Sequence, residues 1–510
     1  MINLDPISLA RQTLCRAFAC TLLLISSQLV FGQGYARITG IVTDTSGAAV
    51  KGATITVTQV GTGEIATTTT NDEGLFVFPT LRPANYDLKA TSPGFSTFTK
   101  TGIVLQADSA VTVNVGLQVG NIDQTVTVEA ASAQVDTTTA TLSQVVDQRR
   151  INELPLNGRN AAALTTLVAG VAVAPNAQAD QGITKTFPVA VTVTANGSRA
   201  NQSNYMLDGG SNVDVYTNVN APFPFPDALQ EFSVQTSNYN AEYGQNAGGV
   251  VNIVTKSGAR EFHGDIFEYN RNAIFNASNV FSNPSGAVDP LKRNQFGGTI
   301  GGPVKIPGLH HAYFFGGYQK TILRNSPLAD TAAIVPTQAQ LNGQFAVANS
   351  NQCIKNPFTG ALYPCTATAT SPGFSTINPA TFDPAAVALT KYLPDGGTSG
   401  SVTFRRPTAQ NFDELVTRYD QEIREKDKLS GRYYYNKFHN GGVLDLTNLL
   451  TYADQAQITY HDALISETHT FSDRLLNNFS LSYGQINAAR GPLDGGISVT
   501  DLGVNIWNPD

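Results

Sequence analysis

Hydrophobic and polar positions alternate along most of this chain, and they do so in three different styles. In the first stretch, short apolar-alternating runs recur at Ile38–Val42, Thr54–Val60, Leu75–Phe78, Tyr86–Ala90 and Val111–Leu117. Turn-forming clusters separate them at Asp44-Thr45-Ser46-Gly47, Asn71-Asp72-Glu73-Gly74 and Ser92-Pro93-Gly94. Short, evenly spaced strands with such punctuation predict a β-sandwich over residues 34–118. The middle stretch, 131–258, is mixed. Leu142, Val145, Val146 and Ile151 have spacing compatible with a helix, and Ala161–Val173 is an apolar run too short to span a bilayer. Leu229, Phe232 and Val234 then form an apolar strand, an Asn/Gly/Tyr-rich turn follows, and Val250–Val254 is a β-branched strand. From Phe262 the pattern changes again. Phe267 and Tyr269 alternate with Glu268 and Asn270. Leu429, Gly431, Tyr433 and Tyr435 share one face, with Lys428, Ser430, Arg432 and Tyr434 on the other. Phe479, Leu481 and Tyr483 alternate with Asn478, Ser480 and Ser482. Two-residue periodicity with an aromatic face and a charged face predicts barrel staves, apolar toward lipid and polar toward a lumen, over residues 259–510. Soluble sandwich strands also alternate; the charge on the polar face favours a barrel.

Composition sharpens this picture. Charged residues make up 14% of the chain, with 45 Gly, 26 Phe, 18 Tyr and 1 Trp. The mean hydropathy of -0.10 is too polar for a bundle of membrane helices. A barrel hides its membrane signal by alternation, so low hydropathy does not exclude one. The net charge of -7, with basic residues scattered, argues against nucleic acid as a partner. Arg11 and Arg16 precede an apolar run from Ala17 to Phe31, and Gly32-Gln33 offers a cleavage point, so residues 1–33 read as an export signal. After cleavage Cys353 and Cys365 remain. In an exported chain they read as a loop disulfide before a metal pair. They fall in a Pro/Thr/Asn-rich stretch, about 324–408, where alternation lapses; a barrel would place so long a loop outside the cell.

The segment Asp227–Lys256 resembles the end of the plug domain of TonB-dependent outer-membrane transporters. The resemblance rests on Glu231–Val234, Tyr243-Gly244, Gly248-Gly249 and the strand through Asn252 that closes on Thr255-Lys256. Asn196-Gly197-Ser198-Arg199 and Tyr205-Met206-Leu207-Asp208-Gly209-Gly210 resemble the family's central plug strands. The run Leu154-Pro155-Leu156-Asn157-Gly158-Arg159-Asn160 resembles a hallmark of its Oar-like subgroup. Residues 34–118 resemble the carboxypeptidase regulatory-like domain, a transthyretin-like sandwich, through Gly40, Val42, Asp44, Gly47, Gly52-Ala53, Gly74, Phe76, Leu81, Pro83, Tyr86, Leu88 and Gly94-Phe95. Despite that name, no zinc-peptidase motif or nucleophile elbow occurs.

The resemblance implies a mainly β chain: a sandwich, an α/β plug and part of an antiparallel transmembrane barrel, monomeric and in the outer membrane, with the sandwich in the periplasm. It implies an outer-membrane receptor that imports an unidentified extracellular ligand, driven by a TonB-like energy-coupling protein, with no catalysis, cofactor or metal. In the linker 119–130, Asp123-Gln124-Thr125-Val126-Thr127-Val128-Glu129-Ala130 resembles the TonB box, a segment that can add as a strand to a partner sheet. It also reads as the last strand of the sandwich, or as a plain linker. Arg159 and Arg199 are candidates for pairing with wall carboxylates, against the reading of ordinary solvated arginines. Asp208, Asn212 and Asp214 are spaced like calcium ligands, but the closing Glu is missing, so a capped turn is expected. The family's barrel needs about 22 strands, more than residues 262–510 supply, so the chain is expected to be a fragment. A surface adhesion or scaffold protein, binding through the sandwich and long loops without energised import, is the alternative.

Overall fold

In the computed structural model, residues 36–120, 125–129, 140–173 and 191–504 are described, apart from 216–217, 240, 245, 278–287, 289, 310, 327–330, 425 and 473–474. The expected export signal lies outside the described residues.

The first unit is a two-sheet sandwich. Its strands are β1 (Ala36–Asp44), β2 (Thr54–Gln59), β3 (Ile65–Thr69), β4 (Leu75–Leu81), β5 (Ala84–Thr91), β6 (Thr97–Leu105), β7 (Ala110–Thr112), β8 (Val115–Leu117) and β9 (Thr125–Glu129). One sheet runs β4-β1-β7 with β8 also on β1; the other runs β3-β2-β5-β6-β9. Alternate residues point into a shared core of Ile38, Val42, Ile55, Val57, Phe76, Leu88, Ile103 and Leu117. Burial of about ten such side chains, at roughly 1.5–3 kcal/mol each, is what holds a small sandwich together. Two strands carry no clean apolar alternation. Ile65–Thr69 and Thr97–Leu105 are rich in threonine, and they form because β-branched side chains suit a pleated, half-buried surface.

The second unit is built on a mixed sheet, β10-β15-β16-β13-β14. Its strands are β10 (Leu142–Asp147), β11 (Val171–Val173), β12 (Val193–Ala195), β13 (Asn204–Leu207), β14 (Gly210–Ser211), β15 (Leu229–Ser237) and β16 (Val250–Thr255). The helix expected over Leu142–Ile151 is corrected here. Leu142–Asp147 is a strand paired antiparallel to β15, and the helix covers only Gln148–Glu153. The Asp147 side chain accepts a hydrogen bond from the Arg150 backbone N–H, so it caps the helix and marks the switch. The β-branched Val145-Val146 pair and an open edge on β15 outweigh the helical spacing. β15 and β16 pair antiparallel around the Asn/Gly-rich turn.

Seven antiparallel strands form the third unit, in the order β17-β18-β19-β24-β25-β26-β27. They are β17 (His263–Asn272), β18 (Lys292–Pro303), β19 (Ala312–Asn325), β24 (Thr408–Arg424), β25 (Asp427–Asn440), β26 (Gln455–Ser472) and β27 (Leu475–Gly491). Between β19 and β24 lies a folded insertion, where a long irregular loop was expected. Two small two-stranded antiparallel sheets organise it, β20 (Thr331–Ile334) with β23 (Ser401–Phe404) and β21 (Gln344–Val347) with β22 (Gly373–Thr376). Cys353 and Cys365 are bonded there, Cα atoms 6.0 Å apart.

The wall alternates as a barrel stave does. On β25, Arg432, Tyr434, Asn436 and Phe438 are buried, while the residues between them face out. On β27, Phe479, Leu481 and Tyr483 are 56%, 62% and 58% exposed on the outer face. A row of such side chains in water would be a large apolar patch; in a bilayer it is the lipid contact. No helix among the described residues is long and apolar enough to cross a membrane, which says nothing of crossing by strands. The short connections, such as that between Arg424 and Asp427, lie at one end, and the insertion of the β19–β24 connection lies at the other. By the habit of outer-membrane barrels, the first end is periplasmic and the second extracellular.

Candidate functional site

The second unit rests against the inner face of the wall, and their side chains form one core. Phe223, Phe225, Phe232, Val251, Ile253 and Tyr205 of the plug cluster with Phe315, Phe412, Val416, Tyr434, Phe438, Ile458 and Tyr460 of the wall. The ring of Phe225 lies over Gly317, where a Cβ would come within 2.8 Å of it. A glycine there lets plug and wall approach closely.

Across this apolar seam runs a ladder of charges. Asp208 sits in the turn between β13 and β14 with φ +50°, a left-handed conformation that Asp tolerates. Its carboxylate caps β16 through the backbone N–H and hydroxyl of Thr255, at 2.9 and 2.8 Å. The same carboxylate pairs with two wall arginines, Arg418 Nη1 at 3.0 Å and Arg432 Nε at 3.1 Å. Arg418 Nε lies 2.9 Å from Asp420, and Asp420 lies 3.0 Å from Arg82 of the sandwich. Arg432 continues the other way to Asp462, 3.2 Å off, and the Tyr460 hydroxyl lies between two acceptors, Asp462 at 3.2 Å and Asn212 of the plug at 3.0 Å. Arg82, Arg418 and Arg432 thus alternate with Asp420, Asp208 and Asp462, so the ladder is neutral. Four of its six side chains, Asp420, Arg432, Asp462 and Asp208, are at most 9% exposed. Charges so buried persist only when paired. Arg432 Nη2 makes its directed hydrogen bonds, to both Asp462 oxygens and to Leu207 O; Nε and Nη1 make none, so their contacts are chiefly electrostatic.

A second seat is made by the Asn157-Gly158-Arg159-Asn160 turn. Gly158 and Arg159 both have positive φ, +75° and +54°. That conformation directs successive groups at the first three wall strands. Asn157 Oδ1 accepts from Arg271 at 2.6 Å and Arg293 at 3.3 Å. Gly158 O accepts from Gln295 at 3.0 Å. Arg159 pairs with Asp227 at 2.5 Å and donates to Gln319 at 3.0 Å. Its guanidinium lies over the rings of Tyr269 and Phe267, 3.9 and 4.8 Å from their centroids. Asn160 caps the following 3-10 turn through Ala162 N–H. Beside this turn is a cavity of about 210 Å³, bounded by Arg159, Phe223, Phe225, Arg293, Glu414 and Asn436. It lies toward the extracellular end and mixes aromatic with hydrogen-bonding groups, as small-molecule sites do.

The other residues singled out in the sequence fall in different places. Arg199 is exposed and has no ion pair among the described residues; its backbone N–H donates to Gln202 Oε1. Of the two readings open for Arg199, a pairing that holds the plug and an ordinary solvated arginine, this position fits the second. Asp208, expected only to cap a turn, fills that role with wall arginines as partners. Asn212 is buried and hydrogen-bonded to Ala221 O, Pro222 O and Tyr460, so the Asp208–Asp214 segment is a structural turn. Gly209 has φ +87°. Tyr243 and Asn252 both donate to Asp108 of the sandwich. Gly248 and Gly249 are close-approach positions, where a Cβ would lie 2.6 Å from Gln202 O and 2.8 Å from Ala195 Cβ; at Gly244 it would meet Ala241 O at 3.1 Å. The Lys256 backbone N–H donates to Ala228 O, and burial lowers the affinity of its amine for a proton. Thr125–Glu129 pairs parallel with β6 at the edge of the sandwich sheet, with Thr127 exposed. Asp123, Gln124 and Ala130 lie outside the described residues. Asp427, Glu467 and His469 gather at the periplasmic rim, where His469 Nδ1 is 2.5 Å from Asp427 and its ring lies against Phe471.

The sandwich also touches the wall. Thr62 O accepts from the Tyr313 hydroxyl at 2.9 Å and from Arg260, and Glu64 pairs with Lys428. Burial opposes the charge on Glu64, but Lys428 and Arg82 outweigh it and hold its carboxyl below the usual range.

Residues 254–509 match the family model described as "Outer membrane beta barrel domain", and residues 37–118 match "Carboxypeptidase regulatory-like domain". Over 268 residues the chain is 28% identical to the TonB-dependent transporter Oar of Myxococcus xanthus, a match covering 51% of this chain and 24% of that protein. The chain thus spans about a quarter of that relative's length. Among solved structures, the outer membrane transporter YddB of Escherichia coli overlays 68% of this chain and 39% of its own, at 10% identity and a TM-score of 0.39. The ferric enterobactin receptor of Pseudomonas aeruginosa overlays 69% of this chain and 42% of its own, at 10% identity and a TM-score of 0.36. With half of its 510 residues matched by the barrel model, the chain belongs to the outer membrane beta barrel domain family and resides in the outer membrane.

Proposed function

We propose that this protein is an energised outer-membrane importer: a ligand enters from the extracellular end, and a TonB-like protein in the periplasm moves the plug. The observation that carries this reading is the seam. The plug is seated by a neutral ladder of paired charges together with an apolar contact, so its displacement exchanges buried ion pairs for hydrated ones. Buried pairs contribute little net stability against their hydrated state, though breaking one partner alone is costly. Such a seam suits a plug that is firmly placed and still removable as a whole. Thr125–Glu129 suits the coupling step. It is an edge strand, so one side of its backbone is open to accept a partner strand. The energy would come from the inner-membrane proton gradient through that partner, and nothing covalent would happen to the ligand. The cavity beside Arg159 is the place where a ligand would reach the plug.

The test is binding of a TonB-like periplasmic domain to the full chain. Val126→Pro and Val128→Pro remove backbone donors from the edge strand and are expected to abolish binding. Unchanged binding by both variants would exclude coupling through this strand and leave the adhesion or scaffold reading in place.

A further inference from the structure

The face of the plug sheet turned away from the wall sets polar side chains among the apolar Met206, Val250 and Val254. In register across β15 and β16, Ser233 faces Asn252, and Glu231 and Gln235 flank Ser233 on the same side. Strands covered on both faces ordinarily carry apolar side chains on both. Here Ser233 and Asn252 are fully buried and Gln235 is 2% exposed, so their polar groups need partners.

One side chain meets that need, and it comes from another unit. The Gln106–Ser109 turn of the sandwich, between β6 and β7, points Asp108 into this face. Asp108 Oδ2 accepts from Ser233 Oγ at 2.9 Å, Gln235 Nε2 at 2.9 Å and Asn252 Nδ2 at 3.1 Å. Asp108 Oδ1 accepts from Tyr243 OH at 2.9 Å. Next to it, the Ala107 N–H donates to Glu231 Oε1. The donors come from β15, from the 241–243 turn and from β16, and all are uncharged. Asn252 Oδ1 has no hydrogen-bond partner, so its amide is turned to give its N–H to Asp108. The turn itself is rigid. Ser109 Oγ donates to Gln106 O at 2.7 Å and accepts from Gln106 N–H at 3.2 Å. Asp108 takes φ +61° at its tip.

We propose that the plug carries a carboxylate-binding pocket, made by Ser233, Gln235, Tyr243 and Asn252, and that Asp108 docks the sandwich in it as a releasable latch. Neutral donors converging on one carboxylate bind it by directed hydrogen bonds, each stronger than a neutral pair. With Asp108 withdrawn, buried donors are left for water to satisfy, so the plug face is stable in either the docked or the hydrated state. The latch is mechanically tied to the edge strand. β9 lies parallel on β6 from Thr97–Thr125 to Thr101–Glu129, and β6 runs directly into the Asp108 turn. Force applied to β9 therefore reaches Asp108 through one strand. This consequence rests on the import reading, but the pocket and the latch do not.

The experiment is amide hydrogen exchange on the full chain in detergent micelles, with neither ligand nor partner present. Asp108→Ala is expected to speed exchange of the amides of Leu229–Ser237 and Val250–Thr255 by about tenfold or more, the loss of several charge-assisted hydrogen bonds. Exchange in β24 and β25 should not change. Tyr243→Phe, which removes one donor and keeps the ring, is expected to give a smaller increase in the same amides. If Asp108→Ala also loosens the wall, the Tyr243→Phe result decides. Exchange at wild-type rates in both variants would overturn the proposal.

Discussion

The Asp208 carboxylate of the plug lies 3.0 Å from the Arg418 guanidinium of the wall, and it simultaneously caps the last plug strand through Thr255. One side chain thus fixes the end of the plug fold and its position in the lumen. Asp208→Ala leaves Arg418 and Arg432 buried with one carboxylate fewer. A loss of about 3–5 kcal/mol in resistance of the plug to denaturant is expected, the usual cost of orphaning a buried charge. Denaturation followed through protease cleavage within the plug checks this. The Asp208→Ala/Arg418→Met double variant should recover part of the loss, because it removes the orphaned charge.

Arg159 binds Asp227 and Gln319 while lying over Tyr269 and Phe267. Lysine cannot reproduce a planar fork stacked on rings. Arg159→Lys is expected to weaken seating of the Asn157–Asn160 turn by about 2 kcal/mol. Faster exchange confined to residues 154–167 and β17 would show it.

Burial pushes the Glu231 carboxyl up from an ordinary 4.5 to about 7, with Asp108 and Asp147 adding to the rise and the Ala107 N–H opposing it. The docked carboxyl therefore keeps a proton that an open, hydrated one releases. The contribution of Glu231 to docking is accordingly greatest below pH 4.5 and falls as pH rises toward about 7, above which it levels off. Exchange protection of β15 measured across this window is expected to fall with pH. Glu231→Gln, whose carbonyl still accepts from Ala107, should flatten the profile.

Reduction of the Cys353–Cys365 bond opens a link across a sequence separation of 12. A loss of about 3 kcal/mol is expected for the insertion alone. Amides of Gln344–Val347 and Gly373–Thr376 should exchange faster, with the wall strands unaffected.

Much of this fold was legible from residues. Two-residue alternation located the staves around Tyr433 and Leu481, and the Asp227–Lys256 resemblance located the β15–β16 hairpin. The helix expected at Leu142 became a strand because an open edge on β15 was available, which no local window contains. Ile65–Thr69 was missed because threonine gives no apolar signal. Site residues were legible where a local oddity marked them. Asp208 precedes a glycine in a left-handed turn, and Arg159 follows one. Their partners were not legible, since Asp208 and Arg418 are joined only by the packing of the wall against the plug. Arg418 and Asp420 do leave a trace: opposite charges two apart lie on one strand face, and on a buried face they must pair. Asp108 leaves none, because an aspartate in a turn is ordinary until another unit supplies four donors.

The seating of the plug against the wall is tested most directly by a cross-link. A Cβ added at Gly210, at the plug edge, would lie 3.5 Å from Ser482 Cβ on β27, within the range a disulfide spans. Gly210→Cys/Ser482→Cys, made in the full chain in the outer membrane and treated with a mild oxidant, is predicted to form the intramolecular disulfide nearly completely. Two cysteines that remain reduced and separately alkylable under those conditions would contradict it.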